Sequence, residues 1–78
     1  MATKAFILIE TSVGKSRDVI AALRGIDNIT SVDVVTGPYD IIAVLKSPDL
    51  HSVGSLVTSH IHTVAGIQRT VTCLAVDS

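Results

Sequence analysis

The chain carries one pattern twice, at an offset of 35 residues: Phe6-Ile7-Leu8-Ile9 aligns with Ile41-Ile42-Ala43-Val44, and Ile29-x-Ser31-Val32 aligns with Val64-x-Gly66-Ile67. Each copy reads strand, helix, strand. Two βαβ units in so short a chain predict a βαββαβ split-βαβ sandwich of the α+β class. Right-handed crossovers then dictate an antiparallel four-stranded sheet of order 4-1-3-2 with both helices on one face.

The local signals agree with that plan. Ala5 to Ile9 and Ile41 to Leu45 are apolar on both alternating sets, as strands in the middle of a sheet should be. A helix is expected from about Lys15 to Arg24, with Val19, Ile20, Ala22 and Leu23 at helical spacing and Gly25 as stop signal. Val32 and Val34 alternate with Ser31 and Asp33, which fits a half-exposed edge strand. Ser47-Pro48-Asp49 predicts the second helix, capped by the Ser47 hydroxyl and running to about Ile61 with Leu50, Val53, Leu56, Val57 and Ile61 as one stripe. A last strand from Ile67 to Val76 places Val71, Cys73 and Ala75 on one face, and Gln68, Thr70, Thr72, Leu74 and Val76 on the other. This alternation predicts an inert buried thiol at Cys73.

Composition narrows the functional classes. With 47% hydrophobic and 17% charged residues, the chain has more apolar surface than 78 residues can easily hide, so self-association is expected. A net charge of −1, with six Lys and Arg spread singly, provides no basic stripe for phosphates, and Phe6 and Tyr39 are too few rings for base stacking. Direct binding to nucleic acid is not expected. The longest apolar run, Ile41 to Leu45, is too short to span a bilayer. The lone Cys73 and the lack of a leader-like start point to the cytoplasm.

At Gly37-Pro38-Tyr39-Asp40, followed by an apolar strand, and again at Gly66-Ile67-Gln68-Arg69-Thr70-Val71-Thr72, the chain resembles the ligand-sensing (RAM) domain of Lrp/AsnC-type transcriptional regulators. The resemblance spans Ala5 to Val76 and implies a ferredoxin-like fold over residues 1–78 as a single domain. Only Met1 to Lys4 precede the first strand, so no helix-turn-helix is expected and the chain looks like a stand-alone RAM protein. The resemblance further implies a homo-oligomer: a dimer with sheets face to face, assembled into a ring or octamer, with an amino-acid effector between dimers and full-length regulators as possible partners. Gly37, Tyr39, Asp40, Thr70 and Thr72 map onto the family's ligand site. Asp40 could pair an ammonium, and the Thr hydroxyls and backbone N–H groups a carboxylate.

Blander readings stand beside these. Asp40 also suits a turn carboxylate, Thr70 and Thr72 suit an edge strand by β-branching alone, and Tyr39 suits packing. His60 and His62 are two apart near a helix end, without further ligands at metal spacing, and read as surface residues. Gly14-Lys15-Ser16 lacks the earlier glycine of a phosphate loop, because Ile9 stands there. No cofactor and no catalytic spacing are expected. Two alternatives remain: a small cofactor-free enzyme on the same scaffold, or an ACT-like amino-acid domain, whose ligand would contact Thr11 to Gly14 rather than the hairpin.

Overall fold

The computed structural model describes residues 2–76. Its elements follow the predicted order: β1 (Thr3–Thr11), α1 (Ser16–Arg24), β2 (Ile29–Val34), β3 (Ile41–Ser47), α2 (Leu50–Leu56, continued by a π-helical turn Val57–Ile61) and β4 (Ile67–Leu74). The strands form one antiparallel sheet in the order β2-β3-β1-β4, the expected topology read from the other edge.

Pairing register explains the two faces. Ala5, Ile7 and Ile9 of β1 lie opposite Leu45, Ala43 and Ile41 of β3, and all six are fully buried under Val19 and Leu23 of α1 and Val53, Val57 and Ile61 of the second helix. The helices therefore cover one face of the sheet. On the opposite face Phe6, Leu8, Ile42, Val44 and Val71 remain only half-buried. On the helix face of β4, Thr72 and Leu74 are exposed, and on the uncovered face so is Cys73. The buried thiol expected at Cys73 is thus an exposed one, beside Phe6 on the uncovered face.

The second helix starts differently from its sequence signal. Ser47 ends β3 opposite Thr3 and is buried there, so it cannot cap; Asp49 does, accepting a 2.7 Å bond from Ser52 N. That backbone bond, with the Ser52 hydroxyl and His51 adding to it, holds the Asp49 carboxyl below the ordinary carboxylate range. Starting the helix at Leu50 also turns that residue outward, 60% exposed, out of the apolar stripe expected of it. Past Val57 the helix widens, His62 N bonding Val57 O at 2.9 Å five residues back.

Gly66 joins the second helix to β4 at φ +100, and a Cβ there would lie 2.8 Å from Lys15 Cβ and 3.1 Å from Val19 Cγ2. Its carbonyl accepts Ser12 N at 2.8 Å, tying the β1–α1 loop to the start of β4. Gly66→Ala is expected to destabilise the fold by about 1–3 kcal/mol, through positive φ and a collision with α1, as read from urea denaturation. Asp49→Ala is expected to lower the melting temperature at neutral pH. A carboxyl whose folded pKa is depressed stabilises above its unfolded pKa and loses that contribution as pH falls through the folded one. The gap between wild type and variant should therefore close in acid below the carboxylate range, which a melting series against pH measures.

Candidate functional site: the hairpin and the start of β4

Val35 N donates to Asp40 O at 3.0 Å and closes the hairpin between β2 and β3. Between them lies Thr36-Gly37-Pro38-Tyr39, with Gly37 at φ +147 in a conformation that favours glycine. Asp40 N donates to Ile9 O at 2.9 Å, anchoring the loop to β1. The Asp40 carboxylate then reaches the end of β1: its Oδ2 accepts Thr11 N at 2.8 Å and Thr11 Oγ1 at 3.3 Å. Thr11 Oγ1 also sits 2.9 Å from the hydroxyl of Ser16, the first residue of α1. Asp40 is therefore a latch between the hairpin and the β1–α1 loop. Among the described residues its Oδ1 carries no hydrogen bond.

The other end of β1 pairing brings in β4. Glu10 faces Arg69 but Thr11 faces Ile67, so Gln68 is an extra residue in β4, a bulge where the Asp40 latch and Gly66 turn meet. Arg69 pairs with Glu10 at 2.7 Å and lies over the Tyr39 ring at 5.9 Å, which links the hairpin to β4. Both partners are partly solvated, so this pair orients side chains more than it stabilises the fold. One step along, Thr70 Oγ1 is 2.7 Å from His62 Nε2. This contact joins the end of the π-helical turn to β4. His62, Ile67, Gln68, Arg69 and Thr70 line an open cleft of about 430 Å³.

Three of the five expected site residues, Gly37, Tyr39 and Asp40, thus share the hairpin, and Tyr39 touches β4 through Arg69. Thr70 is in one row with Ile9 and Ile41, and two strand spacings put it about 10 Å from the hairpin end of β3. Thr72 lies a further two residues away, opposite Ile7, and is exposed. Within one chain, Asp40 and Thr72 do not converge. The expected contrast between a hairpin site and a Thr11–Gly14 site also disappears, since Thr11 and Asp40 bond each other directly. Sequence reasoning missed His62, Arg69 and Glu10. No local pattern marks them, because each acts through a contact across the fold.

Other grooves lie elsewhere on the described residues, two of which bear on residues singled out by the sequence. One of about 330 Å³ lies beside α2, lined in part by Asn28, His51, Ser55, Ser59 and His60; the other, of about 550 Å³, lies between Gly14, Arg17, Ile20 and Val34. His60 and His62 thus face different grooves. No group of three or more potential metal ligands occurs among the described residues, and no helix there is long and apolar enough to cross a membrane.

The latch makes a stability prediction. Asp40→Ala leaves the half-buried Thr11 N–H without its acceptor and is expected to cost about 1–3 kcal/mol, whereas Asp40→Asn retains an oxygen for it and should lose clearly less. Urea denaturation of the two variants separates the outcomes.

A scan against protein-family models matches residues 4–78 to the Lrp/AsnC ligand binding domain. No curated protein matches. Among solved structures, FFRP-DM1 is similar over 95% of this chain and 99% of its own, at 32% identity and a TM-score of 0.91. A protein from Thermus thermophilus is similar over 97% and 95%, at 30% identity and a TM-score of 0.92. A transcriptional regulator of Neisseria meningitidis, solved in complex with L-Met, shares the fold at 19% identity and a TM-score of 0.88; this chain covers 50% of it. Whole-length matches to small proteins and the family model over nearly every residue agree: the chain belongs to the Lrp/AsnC ligand binding domain family.

Proposed function

We propose that this chain is a non-catalytic, oligomeric sensing module of the Lrp/AsnC type, which binds an amino acid and acts through assembly or through partner binding. The observation that carries the reading is the meeting of hairpin and last strand at one end of the sheet, through Tyr39, Arg69 and Glu10, in a chain whose family is a ligand binding domain. The L-Met complex of the Neisseria regulator supports an amino acid as the ligand class. Asp40 Oδ1 is the free acceptor for an ammonium. Thr70, Thr72 and the Gly37 backbone supply polar contacts to the rest of the ligand, with Tyr39 as a wall. Since Asp40 and Thr72 are apart within one chain, the complete site draws on more than one subunit.

The uncovered sheet face supports the oligomer. Phe6, Leu8, Ile42, Val44 and Val71 form an apolar centre, with Lys4, Lys46, Glu10 and Arg69 in the flanking rows. A molecule of 37 × 23 × 17 Å offers a broad face on the order of 800 Å², the area each partner of a standard interface contributes. A second copy has a matching face by symmetry, so a face-to-face dimer buries both and covers Cys73. Residues 1–78 then act as one module in the cytoplasm, alone or beside full-length regulators, without contacting DNA directly.

The test is a melting-temperature screen of the twenty amino acids, run with sedimentation at micromolar concentration. A ligand specific to the folded assembly at a hundredfold excess over Kd stabilises it by about 2.7 kcal/mol, a shift on the order of 10–20 °C. Sedimentation should give at least a dimer. A folded monomer, or no response to any amino acid, overturns the reading.

A further inference from the structure

We propose that the outer edge of β2, with the side of α1 beside it, is a docking site for an extended acidic peptide of a partner protein, which adds to the sheet as a further strand. This goes beyond the sensing function and does not rest on its amino-acid ligand. In the order β2-β3-β1-β4, β2 has a neighbour on one side only. Lys46 N donates to Asn28 O and Val35 N to Asp40 O, and these two bonds fix the phase of the pairing. Ser31 and Asp33 turn their backbone groups toward β3, opposite Val44 and Ile42, while Val32 and Val34 turn theirs outward. The devices that blunt such an edge are missing from this stretch. β2 contains no Lys and no Pro, and its register shift lies between Ile29 and Ser31, ahead of Val32.

The surroundings of the edge select what can pair with it. Val32 and Val34 lie opposite the buried Ala43 and Ile41, so their side chains are on the helix face. Val34 is 66% exposed there and shares a cleft of about 550 Å³ with the half-buried Ile20 of α1. A second cleft, of about 300 Å³, follows Ile29 to Val32. Each cleft holds one exposed arginine of α1, Arg17 beside Val34 and Arg24 beside Val32. Seven residues of helix separate the two by about 10 Å. Two carboxylates four residues apart on an added strand, about 13 Å, lie on one face and within reach of these long side chains. Asp18 shares the cleft of Arg17, but no carboxylate lines that of Arg24, and Asp33, opposite Ile42, is on the uncovered face. The helix side of an added strand therefore meets an apolar centre with a cation toward either end. Main-chain bonds to Val32 and Val34 supply affinity, and the two clefts read the alternate side chains.

The experiment titrates the full chain with acetyl-Glu-Thr-Val-Thr-Glu-amide, whose two Glu and central Val share one strand face, and with acetyl-Lys-Thr-Val-Thr-Lys-amide. Backbone amide signals and amide hydrogen exchange are followed. The acidic peptide is expected to shift the Val32 and Val34 amides saturably, to slow their exchange, and to bind more tightly than the basic one. In an antiparallel addition the helix-side residues of the peptide lie opposite Val32 and Val34 and exchange bonds with them. A methyl group on the peptide's valine nitrogen should therefore weaken binding about tenfold or more, whereas methyl groups on its threonine nitrogens, which face solvent, should leave it unchanged. Arg24→Glu should weaken the acidic peptide about two- to fivefold. The double variant Arg17→Glu, Arg24→Glu should prefer the basic peptide, a gain that a misfolded protein does not show. No response at Val32 and Val34, equal binding of the two peptides, or equal losses from both kinds of methylation overturns the proposal. Exchange at these two amides that slows with protein concentration in the absence of peptide assigns the edge to a second copy of the chain and overturns it as well.

Discussion

Two short helices must cover a four-stranded sheet, and they reach three strands of one face. Everything distinctive about the molecule follows from that shortage. The residues under the helices, Ile7, Ile9, Ile41 and Leu45 with Val19, Leu23 and Ile61, are fully buried, and they are the part of the chain that folds as any small core does. Burial of each side chain of this size contributes on the order of 1.5–3 kcal/mol. Such a core is marginal for 78 residues, and the apolar residues on the other face add little while they are half in water. Stability and assembly are therefore coupled in the proposed oligomer: covering Phe6, Leu8 and Val44 contributes burial that the helices cannot reach.

The same shortage explains the polar character of β4. A strand that lies under the helices is Val- and Ile-rich, as β3 is. β4 instead places Thr70 and Thr72 on the helix side, where no helix lies over Thr72, and β-branched polar residues fit a pleated but wet surface. A ledge of this kind, beside a bulge and a glycine turn, leaves hydroxyls accessible at the sheet edge. The site is thus built where the fold runs out of cover.

What was legible in the sequence was whatever rests on periodicity. The repeat at 35 residues carried the topology, and alternation in Ala5 to Ile9 and Ile41 to Leu45 carried the central strands and their pairing. The misreadings share one cause, a choice between two local signals decided by the sheet. Ser47 is a good cap in isolation, but pairing with Thr3 keeps it in β3 and passes the cap to Asp49. Cys73 alternates with Val71 as a buried residue would, yet burial needs a covering layer and none is present in one chain. Asp40 and Thr11 are 29 residues apart, and His62 meets Thr70 only because a π-helical turn and a bulge set their positions. Contacts of that kind have no sequence period, so the candidate site could be placed on the hairpin and last strand but not assembled.

The hydrogen bonds at this end of the sheet form a chain with a direction. The hairpin holds Asp40, Asp40 holds Thr11, Thr11 touches Ser16 at the start of α1, and Ser12 holds the Gly66 carbonyl ahead of β4. Moving Asp40 toward a ligand therefore loads the β1–α1 loop and the first turn of α1, while the far end of the sheet, where Ser47 pairs with Thr3, shares none of these bonds. A signal from the proposed site has a route to the helical layer that does not pass through the buried sheet core.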